Sequence, residues 1–513
     1  MALLLAGALL VRLPRLTQSL WYDEVCYTSV FLRTDRLSNL LFRDVHPPLY
    51  ALFMYAWTAL FGDGELAMRL PSLLFGLASI VILFSLVSRW LGRKAAWLAS
   101  GLMAASPVHI WYCDEAKTNM LLLLLILGAV HFLVKAWLEN RARDWILFAA
   151  AGLAALWTNV FAAWVVAAIY AWLLLQLLRE KDRFRLRPVL ASGIAIFFGW
   201  LPFVLLSLSH AGALERDYLR PFTPADAWSL FMVYLSHGNT LRTLSPYEPL
   251  RAMLDQPKAL FLVEGFFLLL AAAGLLCWIR ECKAGRAQAG ASGAMGRGGV
   301  EILFLWLVLS PLLVMAASLV YRRLYIERSM IILLPPFLTL IACGVLLWRS
   351  PLARKVLLTV LLGMNGWALV DLLVVKADVW TVYKQKPDWQ SAAAWLAGEY
   401  RDSGGGLFIL HTTPGEALDY GYSRLLASMP RRGAGVLPAS LPHGRMGEYN
   451  EESFAAFLGQ YRLKRVYLIH ERTWSQNFAS LMASLEASPR LAPAGKGAFR
   501  DLDIYRFDVR PGR

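Results

Sequence analysis

The sequence predicts a polytopic α-helical membrane protein of about eleven transmembrane helices with a C-terminal, water-exposed α/β domain. Three observations predict it: an apolar excess, its division into helix-length blocks, and a change of character after Pro387. The 513 residues are 58% hydrophobic and 17% charged, with mean hydropathy +0.49, more apolar surface than a soluble core of that size could bury. The excess is gathered in runs near span length: Leu70 to Val87, Met120 to Leu138, Ser192 to Leu208, Leu260 to Ile279, Ile302 to Val320, Met330 to Leu347 and Val356 to Val374.

Crossings near 1–16, 67–88, 95–112, 118–138, 145–158, 160–178, 189–208, 259–279, 300–320, 329–348 and 355–375 put the short basic loops on one side. These loops carry Arg89 to Lys94, Arg141 and Arg143, Arg179 to Arg187, Arg280 to Arg297, and Arg349 to Lys355, and would face the cytoplasm. The apolar start, Met1 to Val11, lacks a basic leader and a clear cleavage site and is not read as a removed signal peptide. It is short for a span, so either the first helix continues through Leu13 and Leu16 or the start is slightly truncated. Ala284 to Gly299, rich in Gly and Ala, reads as a flexible cytoplasmic linker.

Function is therefore sought on the opposite face. There lie the first exterior loop (17–68), the turn Cys113 to Lys117, the loop Ser209 to Lys258, the turn Tyr321 to Arg328, and everything after Lys376. The expected division is a membrane domain, 1–376, and an extracytoplasmic α/β domain, 377–513. In the latter, an Asp388-capped helix (Trp389 to Tyr400) leads to a strand, Leu407 to Leu410. A helix, Glu451 to Tyr461, a strand, Val466 to Ile469, and a last strand near Ile504 to Val509 follow.

The net charge of +15 and pI near 9.7 do not indicate nucleic acid, because the Lys and Arg residues are scattered between apolar blocks. The five cysteines are odd in number and show no CxxC spacing, which argues against zinc and redox chemistry.

Two acidic pairs stand out. Trp21-Tyr22-Asp23-Glu24 opens the first exterior loop, which continues to His46-Pro47-Pro48-Leu49-Tyr50, and Asp114-Glu115 lies at the outer end of a second hairpin, followed by Lys117. A single such pair is more simply a solvated or helix-capping feature, but recurrence on one face favours a site. A carboxylate can take a proton from an acceptor hydroxyl while a phosphate leaves without needing one. The leaving charge then calls for fixed cations, and Arg69, Lys117, Arg322, Arg323 and Arg328 are predicted at that interface. Each alone could be a snorkelling flank; Arg328 opens an apolar helix against the charge rule. His46 could orient a phosphate or hydrogen-bond within its Pro-fixed turn. With no Gly-rich phosphate loop, a lipid-anchored phosphate fits better than a nucleotide.

The order Tyr22-Asp23-Glu24, His46-Pro47-Pro48-Leu49-Tyr50, Arg69-Leu70-Pro71-Ser72, Ser106-Pro107 through Asp114-Glu115-Ala116-Lys117, then Glu327-Arg328 resembles the C superfamily of membrane glycosyltransferases. The nearest branch is the protein-mannosyltransferase-like one that includes the lipid A aminoarabinose transferases, and Asp388-Trp389-Gln390 with the segment after it is similar to the exterior domain of many members. The resemblance implies a glycosyltransferase C-type fold and inverting sugar transfer from a polyprenyl-phosphate-linked donor. Asp23 and Glu24 would be the catalytic pair, Asp23 as general base and Glu24 beside acceptor or sugar, with Asp114, Glu115, Tyr22 and His46 positioning acceptor and sugar, and Arg69, Lys117 and Arg328 around the phosphate. It further implies a glycan, lipid or protein acceptor, no required cofactor and no expected divalent metal, in a protein of the bacterial inner membrane. The chain departs from the pattern at Lys117, where members commonly carry Arg, and at Ser329, where Tyr is usual. Lysine offers phosphate a point charge where arginine offers a fork.

Smaller expectations follow. Cys26 and Cys113 could pair in a disulfide, ordinary interfacial thiols being the plainer reading. His411 and His470 end strands where parallel sheets bind ligands, structural use again being plainer. Trp21, Tyr22, Trp111 and Tyr112 could stack on a sugar or simply anchor the interface. Rival classes are a transferase or ligase of another lipid-linked group, a transporter or flippase, which should place charges near mid-membrane, and a non-catalytic sensor of lipid-linked sugars.

Overall fold

The computed structural model describes residues 1–20, 24, 47–180, 183–209, 230–237, 258–283, 296–321, 327–346, 348, 350–374, 386–403, 407–411, 464–472 and 478–510. The chain divides into two compact units. The larger holds Met1–Leu16, Thr34–Val375 and Val379–Tyr383; the smaller holds Thr17–Arg33, Lys376–Asp378 and Lys384–Arg513.

The larger unit is helical. Its helices are α1 (Ala2–Leu16), α2 (Leu49–Phe61), α3 (Glu65–Trp90), α4 (Arg93–Ala105), α5 (Pro107–Cys113), α6 (Asn119–Glu139), α7 (Ala142–Thr158), α8 (Ala162–Glu180) and α9 (Arg183–Ser209). A π-helical turn, Leu230–Tyr234, precedes α10 (Lys258–Lys283) and α11 (Gly296–Tyr321); the 3-10 turn Glu327–Leu333 runs into α12 (Leu334–Leu346), and α13 is Pro351–Val374. Among the described residues, seven segments are long and apolar enough to cross a membrane: α3, α6, α8, most of α9 and α11, Ser329–Leu346, and α13. The chain is an integral membrane protein.

Local chemistry explains the breaks. Gly92 joins α3 to α4 at φ +85°, which a side chain would resist. Pro107 has no N–H and drives Ser106 into extended backbone (φ −64°, ψ 123°), so the span expected at 95–112 is two helices, α4 and α5. Asn140 turns α6 into α7 in the left-handed conformation (φ 48°). α3 packs on α4 and α6, and α12 packs on α4 and α10. The α10–α12 crossing is set by two glycines: a Cβ on Gly344 would stand 2.0 Å from the Leu270 carbonyl oxygen, and one on Gly274 2.1 Å from that of Leu340. Only small residues let helix backbones approach so closely.

α1 runs through Leu13 and Leu16, the first of the two expected alternatives. The structure corrects several boundaries. α2, whose apolar run carries no charge, lies inside the expected exterior loop 17–68. α11 begins at Gly296, so the end of the expected linker is helical, with Gly299 against the Trp90 ring. The segment after Arg328 starts as a 3-10 turn rather than an α-helix. The expected helix Glu451 to Tyr461 lies outside the described residues.

Among the described residues the smaller unit is a four-stranded sheet between two helices. α14 (Trp389–Ser403) is followed by β1 (Leu407–His411), β2 (Arg465–Glu471), α15 (Phe478–Ala487), β3 (Leu491–Phe499) and β4 (Leu502–Val509). Strand order is β1-β2-β4-β3, with β1 and β2 parallel and the other neighbours antiparallel. The expected Asp388 cap is present, its carboxylate accepting from the Ser391 N–H at 3.1 Å. Side chains alternate along β2. Val466 and Leu468 join Leu485, Leu491 and Phe507 in the core under α15. On the other face Trp395 of α14 meets Tyr467 and Phe499 edge-on. α15 and β3 escaped the sequence, β3 because Pro493, Gly495 and Gly497 interrupt any strand pattern and sit on an edge where they are tolerated.

One carboxylate ties this unit together. Glu399 Oε2 accepts from Tyr467 Oη at 2.7 Å and from Arg465 and Arg506 at 3.1 Å each. Burial works to raise its pKa, but the Tyr467 and Arg506 hydrogen bonds and the two arginine charges outweigh that and hold it below the usual carboxylate value.

Candidate active site

The second acidic pair sits in the tight turn between α5 and α6. The Asp114 N–H donates to the Trp111 carbonyl at 3.0 Å and the Lys117 N–H to that of Glu115 at 2.9 Å. Asp114 and Glu115 are both buried, at 0% and 1% exposure, while Lys117 is half-buried. Carboxylates so far from water must be met by charge or by donors. Arg15, itself buried in the last turn of α1, supplies the charge: its Nε is 3.6 Å from Asp114 Oδ2, and its guanidinium lies 4.7 Å from the centre of the Trp111 ring. Thr118, opening α6, accepts from Asn159 Nδ2 at 3.4 Å, which links this turn to the one between α7 and α8.

Arg69, fully buried on α3, donates through Nη1 to the carbonyls of Leu16 at 2.9 Å and Arg15 at 3.4 Å. Those carbonyls end α1 and have no intrahelical partner, so Arg69 closes the helix whose last turn faces Asp114. One turn earlier, Arg12 donates to the carbonyls of Ala8 at 2.7 Å and Ala104 at 3.1 Å and to His109 Nδ1 at 2.7 Å. Ala104 ends α4 ahead of the Pro107 break, so Arg12 supplies the donor that the break took away. Accepting at Nδ1 places the proton of a neutral His109 on Nε2. Beside it Cys113 is a free, buried thiol, 3.6 Å from His109 Nδ1 and 3.7 Å from Met120 Sδ, not half of a disulfide; Cys26 lies outside the described residues.

The larger unit thus brings together Arg69, Asp114 and Glu115 near the end of α1, with Lys117 on the same turn. Trp111 carries a guanidinium and the Tyr112 hydroxyl accepts from Tyr234 at 3.2 Å; both rings are buried. Tyr22, Asp23 and His46 lie outside the described residues, as do Arg322 and Arg323, and Arg328 is described only as part of its 3-10 turn. In the smaller unit Glu24 is fully buried and accepts from Lys386 Nζ at 3.1 Å. His470 stacks on Phe478 at 3.7 Å, and burial pushes its pKa down. His411 pairs with Ile469 across the β1–β2 ladder.

Arg12, Arg15, His109 and Lys386 were not picked out from the sequence. The signal for the first two was there: arginines three apart on an otherwise apolar helix. Lys386, among other polar residues before Pro387, gives none. Among the described residues no three of His, Cys, Asp and Glu are grouped as metal ligands.

Residues 45–205, which hold α2 to α8, Arg69 and the Asp114 turn, match the model of the dolichyl-phosphate-mannose-protein mannosyltransferase family. No curated protein sequence matches the chain. Among solved structures, ArnT from Cupriavidus metallidurans bound to undecaprenyl phosphate aligns with 98% of this chain and 97% of its own, at 14% identity and TM-score 0.50. An oligosaccharyltransferase from Archaeoglobus fulgidus, in complex with Zn and sulfate, aligns with 97% of this chain and 72% of its own, at 12% identity and TM-score 0.48. The fold assignment rests on the first of these, and the family match and fold together support a glycosyltransferase. The chain is a membrane protein of the glycosyltransferase C-type fold, similar over residues 45–205 to the dolichyl-phosphate-mannose-protein mannosyltransferases.

Proposed function

We propose that the protein is an inverting glycosyltransferase that moves a sugar from a polyprenyl-phosphate-linked donor to a lipid, glycan or protein acceptor on the extracytoplasmic side of the bacterial inner membrane. The observation that carries the reading is the buried acidic turn Asp114-Glu115 in the family-matched region, with Arg15 beside Asp114 and Arg69 holding the end of the helix that carries Arg15. The likeness to a protein crystallised with undecaprenyl phosphate supports the donor class.

In this mechanism Asp23 takes the proton of the acceptor hydroxyl as that oxygen attacks the anomeric carbon from the face opposite the phosphate. The carbon–oxygen bond to phosphate breaks, inverting the centre, and the polyprenyl phosphate leaves with its electron pair. Lys117 and Arg328 meet the charge that develops there, in a site where fixed cations need not reorganise. Asp114, beside Arg15, and Glu115 orient sugar and acceptor hydroxyls. Arg69 acts at one remove, holding the end of α1 and through it Arg15. A monophosphate leaving group whose charge is met by side-chain cations calls for no divalent metal.

Mass spectrometry of the polyprenyl-phosphate pool, in membranes carrying the native chain or Asp23→Asn at matched protein levels, tests this. The variant should accumulate one sugar-phosphate lipid, which also names the sugar. A pool unchanged by Asp23→Asn would sink the reading in favour of transport or sensing.

A further inference from the structure

Glu24 and Lys386 are 362 residues apart in the chain, yet their side chains are 0% and 1% exposed and meet at 3.1 Å. The contact is part of a wider grip. The Gln390 N–H in the first turn of α14 donates to Ser19 Oγ at 3.1 Å. The carbonyl of Lys386 accepts from Arg500 Nε at 2.9 Å, and the Asp388 N–H donates to the Arg500 carbonyl at 2.9 Å. Lys386 is therefore fixed by the β3–β4 hairpin, and residues 17–33 belong to the C-terminal compact unit rather than to the helices on either side of them in sequence.

A buried ion pair is a poor device for stability, because desolvating both charges cancels most of their attraction; its best-attested use is to fix register. Moving Glu24 from Lys386 would break a charge pair that is buried away from water. The two anchored positions, Ser19 and Glu24, bracket Asp23 in the chain.

We propose that Glu24 is a positioning residue rather than a catalytic one: Lys386 holds its carboxylate, and this anchor sets where the neighbouring Asp23 stands. The acidic pair then divides its labour, Glu24 as foot and Asp23 as base. The inference rests on the transferase reading above.

The test uses the full-length protein with Glu24→Gln, Lys386→Met, Lys386→Arg, the exchange Glu24→Lys with Lys386→Glu, and Asp23→Asn. Turnover of the lipid-linked sugar is followed by mass spectrometry, and binding is measured with undecaprenyl phosphate as probe. Each single loss of charge should slow turnover by about a hundredfold, as a misplaced reacting group does, while undecaprenyl phosphate binds as in the native chain. The exchange should recover most of the rate, because it restores the anchor. An exchanged protein that folds and binds the probe but turns over no faster than Glu24→Gln overturns the proposal, since Glu24 then acts on substrate. Native turnover in Lys386→Met overturns it equally. If Lys386→Met does not fold, Lys386→Arg decides: partial turnover with native probe binding is expected, and native turnover overturns the proposal. Failure of the transferase reading shows separately, as an Asp23→Asn variant that leaves the lipid pool unchanged.

Discussion

A methyl group on Gly76 should disturb the acidic turn from a distance, through one sulfur atom. On α3, the Cβ of an alanine at this position would lie 2.2 Å from Cys113 Sγ, with His109 Cε1 and Met120 Sδ next at 3.3 Å. The sulfur is short by about 1.2 Å of the 3.4 Å at which ordinary contact begins. It has little room to swing away, because Cys113 is fully buried and packed on His109 and Met120. The strain passes to α5, whose next residue is Asp114. Overpacking of this kind costs about 1–3 kcal/mol, and Cys113→Ala alone should cost about 1 kcal/mol for the lost sulfur. Removing the sulfur also removes the clash, so the double variant Gly76→Ala/Cys113→Ala should be more stable than Gly76→Ala, a coupling of about 1–2 kcal/mol. The assay is the apparent melting temperature of detergent-solubilised protein at one fixed heating rate, because unfolding of such proteins is seldom reversible. Turnover should follow the same order. Strictly additive single and double variants would refute the reasoning, since α5 would then not be held against α3 through that sulfur.

The α10–α12 crossing is less forgiving, because the atoms in the way are backbone: Gly344→Ala should cost at least about 3 kcal/mol, seen as loss of the monodisperse peak in size-exclusion, and a native elution and melting temperature would contradict the close approach at Leu270. Arg12→Met removes the donors to the Ala104 carbonyl and to His109; with that carbonyl unmet and His109 left only the weak Cys113 thiol, the loss should be about 1–3 kcal/mol, and an unaltered melting temperature would contradict it. Because Glu399 has a lower pKa folded than unfolded, the stability it contributes is complete above the unfolded value of about 4.3 and is lost as pH falls through the folded one. Hydrogen-exchange protection of β2, corrected for intrinsic rates, should therefore decline in that acid range in the native chain and less steeply in Glu399→Gln; equal slopes would argue against the network.

The helices of the membrane unit were legible because the bilayer demands long apolar runs, and nearly every expected span has its counterpart within a few residues. The sequence was silent where a helix is broken from within or held by contacts far along the chain. Pro107 announced a restriction without saying that it splits a span, and α2 was hidden because a thirteen-residue helix is too short to read as a crossing. For the site, the acidic pairs and Arg69 were visible as costly residue types in repeated places. What they touch was not, since Arg69 meets the end of α1 and Asp114 meets Arg15 only in three dimensions. Lys386 shows the limit most clearly, being an ordinary lysine until the fold seats it on Glu24.

Burial is distributed very unevenly over equally apolar helices. Segment Ser329–Leu346 has a mean hydropathy of 2.3 and is 89% buried inside the protein, whereas the membrane-spanning part of α9 scores 2.2 and is only 22% buried. The two faced the same requirement at one moment only, on entering the bilayer during synthesis, when each had to pass from water to hydrocarbon on its own. Afterwards their obligations part. For α9, greasiness is a permanent condition of touching lipid, and one apolar side chain serves much like another. For α12 it is an entry permit, used once; what the finished protein asks of that helix is shape, so variants there should insert normally and yet fail to assemble.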